Sequence, residues 1–148
     1  MKSRKCFVSN SSSSSFIVIQ ESKATQLKGA YRGKRVEIGD LGKRCFGWEN
    51  ERSCDVWSKI NFCLIQAKDS ERPDKYFRMI FSVIADHTSA SAVDLKSGFF
   101  DNYFDAYIDH QSSSSEGQNM KMFDSEDALT RFIFGEGSYI QTGNDNEW

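Results

Sequence analysis

Cys6-Phe7-Val8-Ser9-Asn10-Ser11-Ser12-Ser13-Ser14-Ser15-Phe16-Ile17-Val18-Ile19 reads either as a linker or as two strands joined by an ordered loop, and the choice decides how the chain begins to fold. Serine buries little apolar surface and its hydroxyl competes for backbone hydrogen bonds, so a serine run alone favours a solvated tether. The flanks argue otherwise. Phe7-Val8 before the run and Phe16-Ile17-Val18-Ile19 after it are apolar and β-branched, suited to pairing and burial. The stretch therefore predicts strand, short Asn-Ser loop and strand, the second strand running over 16–20, with Asn10 free to take a turn conformation.

The string FVSNSSSSSFIV resembles the opening of a scattered set of small bacterial and bacteriophage proteins without an assigned activity. Two later segments, Tyr107-Ile108-Asp109-His110-Gln111-Ser112 and Tyr139 to Asn146, look similar to stretches in some of them. The resemblance implies a source class and no activity, cofactor or site.

Working outward, the 148 residues are the size of one domain, and 1–148 is read as a single globular domain with a polar tail over 143–148. Aromatic residues make up 14%, including 12 phenylalanines, enough large rings to build a core. The net charge of −2 is spread over mixed signs, which makes nucleic acid an unlikely partner. A basic cluster at Lys28, Arg32, Lys34, Arg35, Lys43 and Arg44 reads first as a solvated face. No apolar run approaches membrane-spanning length, so no membrane association is expected. Cys6, Cys45, Cys54 and Cys63 lack zinc-site spacing, and are expected as free, mostly buried thiols in a reducing cytoplasm.

Arg35-Val36-Glu37-Ile38 alternates as a half-buried strand closed by Gly39-Asp40, and 41–48 holds another short extended piece. From about Glu51 to Lys68 the period lengthens. Cys54, Trp57, Ile60 or Asn61, Leu64 and Ala67 make one apolar stripe of a helix lying against a sheet. Pro73 opens a second helix, with Tyr76, Phe77, Ile80, Phe81 and Ile84 on its inner face. Ala92 to Leu95 is a further strand, and Phe104 to His110 alternates cleanly as another. Asp124 or Ser125 caps a last helix with Leu129, Phe132 and Ile133 inward, Gly135 and Gly137 end it, and Ser138 to Thr142 forms a closing strand. The sum is an α+β fold, a mainly antiparallel sheet with about three helices packed on it.

Chemistry-bearing residues gather around the second serine run. His110 beside Asp109 is placed as a general base and Ser112 as a nucleophile, with Glu116 in the same candidate catalytic group, against the plainer reading of a structural histidine and a polar loop. Asp86, His87, Asp109, His110, Glu116 and Asp145 are of metal-ligand type but lack ligand spacing, so no metal and no cofactor are assigned. In the first loop, Asn10, Ser11, Ser12 and Ser13 are candidate ligand-binding residues, since successive amides in a tight turn make a concave nest for a phosphate or carboxylate. Both serine loops are expected to line one surface. With neither nucleotide-loop motif present, the leading expectation is a non-enzymatic binding or regulatory module whose partner is a protein or a small anionic ligand. The alternative is a small hydrolase or metal-dependent enzyme around Asp109 and His110.

Overall fold

A computed structural model describes residues 14–47, 50–100, 107–108 and 117–143. In chain order they form β1 (Ser14–Val18), β2 (Arg35–Ile38), β3 (Cys45–Phe46), β4 (Glu51–Ser53), α1 (Val56–Lys68), α2 (Pro73–Thr88), β5 (Ala92–Leu95), β6 (Tyr107–Ile108), a 3₁₀ turn at Met120–Phe123, α3 (Glu126–Phe134) and β7 (Tyr139–Gly143). The fold is α+β. Its largest sheet is antiparallel in the order β1-β7-β4, and two parallel pairs, β2-β5 and β3-β6, form separate two-stranded sheets.

β7 is the central strand of the large sheet, with Ile17 opposite Ile140 and Ser15 opposite Thr142 on its buried face. On the other face lie Phe16, Gln141 and Arg52, and Arg52 stacks its guanidinium over the Tyr139 ring at 4.1 Å. This two-faced alternation is what an antiparallel sheet permits when helices cover one side only. In β2 the same rule buries Val36 and Ile38 and exposes Arg35 and Glu37.

Helix α1 differs from its expected form in two ways. It begins at Val56 because Asp55 caps it, Oδ2 accepting from the Ser58 amide at 2.9 Å; the three residues before Cys54 extend instead and pair with β7 as β4. It is also buried all round from Lys59 to Ala67, not along one stripe, since α2, α3, β2 and β6 all pack on it. A helix apolar on most faces is the centre of a domain. Cys54, placed on the buried stripe by periodicity, is exposed before the helix starts.

Helix α2 opens at Pro73 as its fixed φ favours, and ends with Ser89 in the left-handed region. The amides of Gly29, Tyr31 and Gly33 donate to the carbonyls of His87, Thr88 and Ser89 at 2.9, 3.0 and 3.1 Å. A run of alternate amides in that register needs sharp turns, which Gly29 and Gly33 supply at φ +65° and +73°. The polar 21–34 segment, unremarkable by composition, is therefore the cap of α2.

Helix α3 starts where Ser125 accepts from the Ala128 amide at 3.0 Å, with Glu126 and Asp127 in the favourable first turn. It buries Leu129, Phe132, Ile133 and Phe134. The Phe62 ring on α1 sits edge-on between Phe46 and Phe132, at 5.2 and 6.5 Å. Trp57, Phe77 and Phe81 pack, partly buried, against the same core.

The thiols need one correction. Cys63 is free and buried and Cys54 free and exposed, whereas Cys45 is disulfide-bonded.

Candidate ligand-binding site

Asn10, Ser11, Ser12 and Ser13, and Asp109, His110, Ser112 and Glu116, all lie outside the described residues, as does Asp145. What is described is where the two serine-rich segments rejoin the fold. Ser15 and Asn119 are both fully buried, and the Asn119 amide donates from Nδ2 to the Ser15 carbonyl at 3.1 Å. The start of β1 is thereby fastened to the residues just before the 3₁₀ turn.

Next to that junction is a cavity of about 600 Å3. Its rim is the α1–α2 connection, Asp69, Ser70, Glu71 and Arg72, and its far lip is Gly117. Ser70 holds the connection in shape: its hydroxyl donates to the Ala67 carbonyl at 2.7 Å and accepts from the Arg72 amide at 3.2 Å. Tyr76, Met120 and Gln66, the last only 3% exposed, complete the lining. Tyr76 is stacked on Phe123 with ring centroids 4.4 Å apart. Among the described residues, Glu71 and Arg72 form no ion pair with each other or with anything else, whereas Asp69 lies 3.7 Å from the Lys68 amine.

His87, one of the metal-type candidates, is a structural histidine. Its Nε2 lies 2.8 Å from the Gln26 carbonyl and its ring stacks on Phe134 at 4.1 Å. Burial is the main cause that pushes its pKa below the ordinary 6.5, against the hydrogen bond to Gln26, with Lys28 lowering it further. It is neutral near pH 7 and donates from Nε2. Among the described residues no group of three or more His, Cys, Asp or Glu converges to hold a metal ion.

Periodicity concealed the buried polar residues of α1. Lys59 is fully buried and donates to the carbonyls of Gly135 and Ser138 at 2.9 and 3.1 Å, capping the end of α3 and the start of β7. Burial lowers its pKa from 10.5 to about 8, opposed by Cys54, Cys63 and Asp55. Asn61 accepts from the Asp40 amide at 3.2 Å and donates back to the Asp40 carbonyl at 2.8 Å, pinning the turn after β2. Both side chains serve the backbone of distant turns, and no sequence signal marks such a role.

The basic cluster is partly neutralised. Arg35 pairs with Asp94 at 2.8 Å and Lys43 pairs with Glu51. Lys28, Arg32 and Lys34 are exposed around the end of α2, where positive charge suits the helix dipole. Among the described residues no helix is long and apolar enough to cross a membrane. Neither protein-family models, curated proteins nor solved structures match the chain.

Proposed function

We propose that the chain is a non-enzymatic binding module that takes a small ligand in the cavity at the α1–α2 connection. The observation that carries this reading is the cavity itself: about 600 Å3, lined by the charged Asp69, Glu71 and Arg72, by Tyr76 stacked on Phe123, and by the buried Gln66. Small-molecule sites are concavities of this size, and the mainly polar lining here suits a polar or charged ligand. The fastening of Ser15 to Asn119 supports the wider reading, because it ties the start of β1 to the segment that lines the cavity through Gly117 and Met120. The resemblance of the opening string to small bacterial and bacteriophage proteins adds a source class and leaves the ligand open.

The test is an NMR titration of the whole chain with a mixed panel of inorganic anions, amino acids and nucleosides. Saturable shifts confined to amides of residues 66–76 and 117–120 are expected. A panel whose hits all cluster elsewhere, or that yields none, removes the reading. The enzymatic alternative around Asp109 and His110 is read separately, by calorimetry with divalent metals. Stoichiometric binding abolished in His110→Ala would put it first.

A further inference from the structure

We infer that the ligand of this cavity is a free α-amino acid with a large apolar side chain, an inference that rests on the binding reading above. The rim carries both signs of charge side by side. Arg72 and Glu71 are neighbours in the chain, both exposed and both lining the cavity, yet neither is neutralised by the other or by any other described residue. Asp69 adds a second carboxylate to the same rim.

A guanidinium binds a carboxylate through two parallel hydrogen bonds, and a carboxylate accepts from an ammonium group with comparable charge assistance. A ligand with one charge would engage one rim group and leave the other, exposed, to water. A zwitterion satisfies both and remains neutral overall. The rest of the lining is Gln66, Ser70 and Gly117 with the Tyr76 ring and the Met120 thioether, and these last two, a planar surface and a soft, adaptable one, give an apolar or aromatic side chain its contact surface. The stacking of Tyr76 on Phe123 makes its ring part of the packed fold.

The probes are L-phenylalanine, 2-phenylethylamine, which lacks the carboxylate, and 3-phenylpropionate, which lacks the ammonium. Each is titrated into the full chain and followed by amide shifts at residues 66–76 and 117–120. Phenylalanine should saturate these shifts, and each truncated analogue should bind about tenfold more weakly, the equivalent of about 1.4 kcal/mol. Arg72→Gln, an exposed substitution that leaves the fold intact, should weaken phenylalanine and leave 2-phenylethylamine unchanged. Either analogue binding as tightly as phenylalanine at the same amides overturns the inference while the binding reading stands. Shifts from all three probes that fall elsewhere, or no shift at all, also overturn it, and the mixed panel then decides whether the cavity binds anything.

Discussion

Asn119 and Ser15, 104 positions apart, are joined by a hydrogen bond of 3.1 Å in a fully buried setting. Ser15 is the last serine of the first run, and it faces Thr142 across the antiparallel ladder, so the bond ties the edge strand to the segment that follows the second run. Loss of a buried partner leaves its acceptor without water, at about 1–3 kcal/mol. Asn119→Ala should lower unfolding stability by that amount in urea, and the amides of β1 should exchange faster. Unchanged exchange in β1 would mean that the bond does not hold this edge.

Lys59 predicts an unusual alkaline dependence. Its amine has a folded pKa of about 8 against 10.5 in the unfolded chain, so between those values the unfolded state binds more protons. Stability therefore rises with pH across that window as the cost of burying the ammonium is relieved. The neutral amine keeps two N–H groups, enough for the carbonyls of Gly135 and Ser138. Lys59→Met should be near wild-type stability at pH 7, where a lost charge penalty offsets two stranded carbonyls. It should fall progressively behind from pH 8 toward 10.5; a constant difference over that range refutes the assignment.

His87 gives the opposite flank. Its folded pKa lies below 6.5, so on acidification the unfolded chain takes up the proton first and stability falls as the pH drops below that value. His87→Phe retains the stack on Phe134 and removes the titration. Urea midpoints of the two proteins should converge between pH 7 and pH 5, the wild type losing stability faster; parallel curves would exclude His87 as the cause.

Gly135 is required for space. A Cβ there would stand 2.4 Å from the Arg131 carbonyl and 2.6 Å from the Gln20 side chain, which is itself fixed by the Gly137 amide at 2.7 Å. Gly135→Ala should cost roughly 1–3 kcal/mol by overpacking. Gly117→Ala, with nothing within 4 Å, should be silent in thermal unfolding.

The two free thiols should separate by labelling. Cys54 is exposed and should react with an aromatic disulfide reagent within the mixing time, while Cys63 is buried, its pKa held well above 9.0 mainly by burial and only partly relieved by Lys59. Cys63 should react only on unfolding. Equal rates would contradict the packing of α1.

By itself the sequence determined the elements whose cause is local. Val36 and Ile38 alternate with charge, Pro73 opens a helix, Ser125 caps one, and Ile140 and Thr142 alternate in the closing strand; each is a period or a backbone preference written within a few residues. The tertiary structure alone decided matters that depend on partners distant in the chain. Glu51–Ser53 became a strand because β7 offered a ladder, Lys59 and Asn61 were buried because the turns at Gly135 and Asp40 lacked donors, and β2 and β5 paired in parallel around two intervening helices. The same holds for the cavity. Asp69, Glu71 and Arg72 are legible as a polar turn, but their meeting with Tyr76, Met120 and Gly117 depends on the helices closing on one another. Burial and hydrogen-bond satisfaction are properties of the packed chain, whereas periodicity and capping are properties of the string.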